Sequence, residues 1–124
     1  MTMELPDPME RRQFRRVFSL VAEEDVVFLR IRGRHYFVAK LLDFSRSGAL
    51  IYAADPAIYV DLGSQYKLFF QSRGAMFHLE AVLVRKDNQL LAFQFINLTP
   101  LDIREIRGKL ARMEIMAARM CVNH

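Results

Sequence analysis

The chain has few of the residues that build covalent and metal-based frameworks. Of its 124 residues one is cysteine, none is tryptophan, five are glycine and four are proline. The single cysteine, Cys121, excludes an intrachain disulfide and a zinc site built on paired thiolates. The histidines His35, His78 and His124 share no metal-ligand spacing, and no nucleophile motif or glycine-rich phosphate loop is present. We therefore expect no metal, no cofactor and no enzymatic activity.

Long apolar stretches are also missing. No run approaches the roughly 18 residues of a membrane span, although 52% of the residues are hydrophobic and 26% are charged. The first nine residues contain Glu4, Asp7 and two prolines, and they lack the basic-then-apolar order of a signal peptide. These features predict a cytoplasmic protein without membrane insertion. The length predicts a single domain, placed at residues 11–124 after a flexible N-terminal tail at residues 1–10.

Lysine is scarce, with four residues against 14 arginines in a chain of net charge +4. A guanidinium is planar and permanently charged, and it can donate two parallel hydrogen bonds to a phosphate or to the O6/N7 edge of guanine. Four arginines fall within six residues, at Arg11, Arg12, Arg15 and Arg16. This arginine segment predicts a site for a compact anion, with positive potential concentrated in the N-terminal part of the chain.

A second short stretch, from Asp43 to Gly48, has a different chemistry. The carboxylate of Asp43 can accept hydrogen bonds from the N1 and N2 donors of guanine, and the hydroxyl of Ser45 suits a phosphate or ribose oxygen. Gly48 permits a backbone conformation or a close approach that a Cβ atom would block. Alone, the pattern Asp-x-Ser-x-x-Gly is also typical of an ordinary turn between strands.

Together the two stretches make the chain similar to the PilZ domain family. That family carries an Arg-x-x-x-Arg motif near the start of the domain and an Asp/Asn-x-Ser-x-x-Gly motif at the edge of its barrel. Two registers fit the first motif, Arg11 with Arg15 and Arg12 with Arg16. We prefer Arg12 and Arg16, because Arg16 runs directly into Val17 as the family's second arginine runs into the first apolar strand. The similarity extends from about Glu10 to Leu110.

The resemblance implies a bacterial receptor for the second messenger cyclic di-GMP (c-di-GMP), which binds without catalysis. Arg12 and Arg16 are then expected to clamp guanine edges and phosphates, while Asp43 and Ser45 meet the ligand from the barrel. Arg11, with Arg15 beside it, is expected to help hold a second, stacked ligand molecule. A downstream protein partner is expected to respond to the bound state.

The remaining chain is mostly patterned as β-structure and ends in a helix. In residues 26–32, Val27, Leu29 and Ile31 alternate with Arg30 and Arg32, as in a half-buried strand. With the resemblance, this predicts a mainly β fold, a six-stranded antiparallel β-barrel of the split-barrel type with a C-terminal α-helix. The predicted strands are 26–32, 35–42, 49–53, 66–71, 76–85 and 90–97.

A change to helical periodicity predicts the C-terminal helix at about residues 100–120. Thr99 suits the N-cap, Pro100 the first helical position and Asp102 the first turn. The end of this helix is rich in methionine and is a candidate surface for a homodimer or a partner. Its predicted apolar stripe consists of Ile103, Ile106, Leu110, Met113, Ala117 and Met120.

Two other interpretations place no cyclic dinucleotide on the chain. A basic β-barrel can bind RNA or single-stranded DNA when exposed aromatic side chains stack on the bases. Phe14, Phe28, Tyr36 and Phe37 are the candidates for that role. Alternatively, the PilZ-like fold serves without nucleotide as a protein-interaction adaptor.

Overall fold

The computed structural model describes residues 3–4, 25–32, 35–56 and 58–122, with the side chains of residues 3, 4, 32 and 119–122 left outside the description. Strands dominate the first part of this range, and a single long helix follows them. The elements are β1 (Met3–Glu4), β2 (Val26–Arg32), β3 (His35–Phe44), β4 (Gly48–Ala53), β5 (Gln65–Ser72), β6 (Ala75–Asp87), β7 (Leu90–Ile96) and α1 (Pro100–Val122).

Strands β2 to β7 form a closed antiparallel barrel. The strand order is β3-β2-β5-β6-β7-β4, and pairing between β3 and β4 closes the ring. The predicted six-stranded barrel with a C-terminal helix is thereby confirmed. The two-residue strand β1, which the sequence did not predict, pairs with the start of β3, where Met3 lies opposite Tyr36. No helix within the described ranges is both long and apolar enough to cross a bilayer.

The barrel interior holds the main core, and β2 shows how the sequence builds it. Val27 and Leu29 point inward and are fully buried, as the alternation predicts. Val26 and Phe28, on the opposite face of the same strand, are buried too. They form a second, outer cluster with Tyr36, and this strand is therefore apolar on both faces. Partly buried side chains around that outer cluster are Val38, Phe69 and Met76.

Two β-bulges explain why β3 and β6 run longer than predicted. The register of β3 against β4 shifts between Leu41 and Asp43, and that of β6 against β7 shifts between Leu83 and Arg85. A bulge inserts one unpaired residue and shifts the inward–outward alternation of the residues that follow by one position. Consequently β3 continues to Phe44, whose ring is buried in the core, two residues beyond the predicted end.

Helix α1 begins at the predicted residue with a reciprocal cap. The amide of Asp102 donates to Oγ1 of Thr99 at 3.1 Å, and the amide of Thr99 donates to Oδ2 of Asp102 at 3.0 Å. Both hydrogen bonds satisfy backbone donors that a helix start leaves without intrahelical partners. The predictions for Thr99, Pro100 and Asp102 are confirmed.

The middle of α1 packs across the barrel, and its buried face differs from the predicted stripe. Ile106 and Lys109 are buried, and Leu110 and Met113 contact the core cluster. The prediction was wrong for Ile103 and Ala117, which are exposed. Among the side chains that the structure describes, those of the middle turns meet the barrel, and Ile103 and Ala117 nearer the helix ends do not reach the core.

Candidate functional site

The predicted turn motif joins β3 to β4 and presents Asp43 on the outer surface of the barrel. Asp43 is the last outward-facing residue of β3, directly after the bulge, and its side chain is exposed. Its Oδ1 accepts a hydrogen bond from the amide of Phe44 at 3.0 Å. Because the ring of Phe44 is buried on the other side of the strand, this bond ties the carboxylate to the backbone of a residue that is packed in the core. Asp43 thus offers a held, solvent-facing acceptor.

Ser45 organises the turn that follows. Its Oγ accepts from the amide of Gly48 at 3.2 Å and from the amide of Ser47 at 3.3 Å. The amide of Ser45 in turn donates to the carbonyl of Gly48 at 2.9 Å. A serine hydroxyl that accepts from amides two and three residues later is the usual way this residue fixes a turn. The Ser45 hydroxyl, which is predicted to contact the ligand, therefore also stabilises the turn in which Ser45 lies.

Gly48 provides a close approach, which is one of the two roles predicted for it from the sequence. A Cβ atom added there would lie 2.2 Å from the carbonyl oxygen of Phe93 in β7. The φ angle of Gly48 is not positive, so space, not left-handed backbone, demands the glycine. On the same side, the amide of Phe95 donates to the carbonyl of Ser47 at 2.8 Å. The turn is thus pressed against β7.

Replacing Gly48 with alanine is expected to destabilise the fold by about 2 kcal/mol, because the new methyl group must displace a backbone carbonyl. Gly108→Ala is the matched control. A Cβ atom at Gly108 meets nothing within 4 Å, so alanine in this helix should stabilise by about 0.5 to 1 kcal/mol. Urea unfolding of both variants measures the change in the free energy of unfolding. If the two substitutions change it by the same amount and in the same direction, the close contact assigned to Gly48 is contradicted.

Beneath the turn, Phe44 connects the motif to the helix. Its ring lies edge-on to Phe70 at 5.1 Å between centroids and contacts Phe95 at 5.7 Å. The Nζ atom of Lys109 lies 5.8 Å from the centroid of the Phe44 ring. The same Nζ donates to the backbone carbonyl of Gln71 at 2.7 Å. A cation from α1 is therefore buried directly under the residue between Asp43 and Ser45.

The structure brings together Asp43, Ser45 and Gly48, whereas Arg11, Arg12, Arg15 and Arg16 lie outside the described residues. Sequence reasoning did not single out two cations near the turn. Arg46 stands exposed at its tip, in a variable position of the motif. Lys109 is buried below the turn. Its position among other charged residues of the helix did not indicate that its side chain would be buried.

The burial of three aromatic residues removes most of the proposed base-stacking surface. Phe28, Tyr36 and Phe37 are each less than a tenth exposed. Phe14, the fourth candidate, lies outside the described residues. Among the residues that the structure describes, no group of three His, Cys, Asp or Glu side chains is arranged to hold a metal ion.

A shallow depression across the barrel from the turn is a weaker candidate for an anion. It is lined by Arg30 of β2, by Lys67 and two further residues of β5, and by Glu80 of β6. Lys67 pairs with Arg30 on one side and with Glu80 on the other. The carboxylate of Glu80 offsets part of the positive charge, so this surface lacks the excess of cations that a dianion requires.

Comparison with known proteins gives a consistent result. A family model described as PilZ domain matches residues 10–112. The PilZ domain of YcgR from Escherichia coli, solved with c-di-GMP, has a TM-score of 0.69 and 15% identity over 100% of this chain and 96% of that chain. The PilZ domain of CeSA from a cellulose-synthesizing bacterium has a TM-score of 0.61 and 17% identity, covering 72% of this chain and 91% of that chain. No curated protein sequence matches the chain. On the match of the family model, this chain belongs to the PilZ domain family.

Proposed function

We propose that the chain is a bacterial cyclic di-GMP receptor that binds its ligand without chemical change. The observation that carries the proposal is the geometry of Asp43, an exposed carboxylate tied to the buried Phe44 and followed by a turn packed against β7. Guanine presents two adjacent N–H donors, and a carboxylate in a fixed orientation can accept both. Family membership and the c-di-GMP in the YcgR structure support the same ligand.

Two parts of the chain contribute to the proposed site, the turn that begins at Asp43 and the arginine segment. Asp43 recognises the guanine edge, and Ser45 and Gly48 keep the turn in the shape that lets a ligand approach. Arg12 and Arg16 contribute bidentate contacts to phosphates and guanine edges. Arg11 and Arg15 neutralise a second, stacked ligand molecule, which gives two molecules per chain.

Binding becomes a signal through the contacts that join these two parts. A ligand shifts a conformational equilibrium only through contacts that exist in one state and not in the other. Contacts from Arg12 and Arg16 to a ligand held at Asp43 are such a difference, and a downstream protein partner responds to the surface they create. Because the ligand is a bacterial second messenger, the proposal places the chain in the cytoplasm.

The selectivity of Asp43 provides the test. Adenine offers an acceptor and one amine where guanine offers paired N–H donors, so the parent protein should bind cyclic di-AMP far more weakly than cyclic di-GMP. Asp43→Ala should weaken cyclic di-GMP binding at least about tenfold and leave cyclic di-AMP binding unchanged. Asp61→Ala, which removes an exposed aspartate elsewhere, is the control. Equal affinity of the parent for both cyclic dinucleotides would remove Asp43 from this role.

A further inference from the structure

We propose that the outer face of β3, β4, β7 and β6 is a docking surface for a second copy of this chain. The four strands are neighbours in the barrel, and cross-strand pairing aligns their outward residues in two adjacent rows. Each row has an apolar middle and a charged residue at each end. The first row is Asp43, Leu50, Ala92 and Arg85, and the second is Lys40, Tyr52, Leu90 and Asp87.

Four large apolar side chains of this face are exposed. Leu42 is 45% exposed, Val84 52%, Tyr52 39% and Leu90 37%. Leu42 and Val84 are the extra residues of the two bulges, which lie on opposite sides of the first row. Bulges redirect side chains, and here both turn an aliphatic residue to solvent. Contiguous exposed apolar residues with a charged rim are typical of an interaction surface.

The charges at the four corners select the partner. Along β3 the corners are Lys40 and Asp43, and along β6 they are Asp87 and Arg85, so each positive corner has negative neighbours. A nucleic acid or an acidic protein surface meets two carboxylates here, and a basic surface meets two cations. A second copy of the chain avoids both conflicts, because a two-fold axis places unlike corners opposite each other.

The favoured axis runs parallel to the strands and lies between the two faces. It sets β3 of one copy over β6 of the other, with Lys40 facing Asp87 of the second copy and Asp43 facing Arg85 of the second copy. The same axis sets Leu50 over Ala92 of the second copy and Tyr52 over Leu90 of the second copy, so that the apolar middles of the rows meet. Two sheets packed in this aligned way keep their strands within about 30° of each other, as in sandwich cores.

Sedimentation velocity of the full chain without ligand tests the surface, over concentrations from about 10 µM to 1 mM, where small interfaces associate. Lys40→Glu and Asp87→Lys each create like-charge contacts twice per dimer and should weaken association at least about tenfold. Arg104→Glu and Glu114→Lys, which make the same charge changes at exposed positions of α1, should have no effect. Circular dichroism checks that all four variants are folded.

An equimolar mixture of the Lys40→Glu and Asp87→Lys chains should associate as the parent does. In the mixed dimer the two altered positions face each other with opposite charges, and the second contact keeps the parent pair of Lys40 and Asp87. Recovery in the mixture separates a specific contact from a general effect of net charge. The proposal does not depend on cyclic di-GMP, and Asp43, which it shares with the proposed ligand site, is left unaltered. A parent that stays monomeric, variants that associate like the parent, or a mixture that stays apart would each overturn it.

Discussion

Lys109→Glu is expected to destabilise the protein by about 4 kcal/mol, since it places an unpaired negative charge in a buried site. The Lys109 side chain has 0% exposure, and its Nζ donates to the carbonyl of Gln71 at 2.7 Å. It also lies over the ring of Phe44, whose face attracts cations and repels anions. A carboxylate in this position faces a carbonyl oxygen and the electron-rich face of a ring.

Two controls separate the charge from the packing. Lys109→Met keeps a flexible apolar side chain and removes the charge and the hydrogen bond to Gln71, so a smaller loss of about 1 kcal/mol is expected. Arg107→Glu makes the same charge change at an exposed position of the same helix and should shift stability by less than about 0.5 kcal/mol. Urea unfolding of the three variants gives the values. Equal stability of Lys109→Glu and Arg107→Glu would contradict the contacts assigned to Lys109.

The second large effect concerns ligand affinity. Arg12→Ala and Arg16→Ala should each cost about 2 to 4 kcal/mol of cyclic di-GMP binding, because charge-assisted bidentate contacts exceed ordinary hydrogen bonds. Arg12→Lys should also bind poorly, since lysine retains the charge and loses the planar fork. Calorimetric titration measures all three, and the stability of the fold should barely change.

Arg104→Ala is the matched control for these variants, because it removes one exposed arginine from α1. It lowers the net charge as the other two alanine variants do, and it should leave the affinity unchanged. If Arg12→Lys binds cyclic di-GMP as tightly as the parent, the result contradicts bidentate contacts from Arg12 and favours a diffuse electrostatic site.

Much of the fold could be predicted because local patterns and global packing agree in this chain. The bounds of β2 and the start of α1 follow from alternation and from a capping pattern, and the structure has both at the predicted residues. The need for a glycine at position 48 could also be predicted from the sequence, with either an unusual backbone conformation or a close contact as the reason. Only the fold could decide between these, by bringing Phe93 against the turn.

The features that sequence reasoning missed depend on contacts between distant segments. The bulge at Leu42 breaks the alternation of β3, so the pattern ended the strand before Phe44. Lys109 resembles a solvent-facing helical lysine until Gln71 and Phe44 are placed beside it by the barrel. Burial of Phe28 on the outer face of β2 likewise needs neighbours from other strands.

Isothermal titration calorimetry of the parent protein with cyclic di-GMP, beside GTP and a short single-stranded RNA, tests the central claim most directly. The proposed site predicts saturable binding of cyclic di-GMP, with no comparable binding of GTP or RNA at the same concentrations. Absence of cyclic di-GMP binding by folded protein, or equal binding of the RNA, would contradict the assignment of the Asp43 turn as a cyclic di-GMP site.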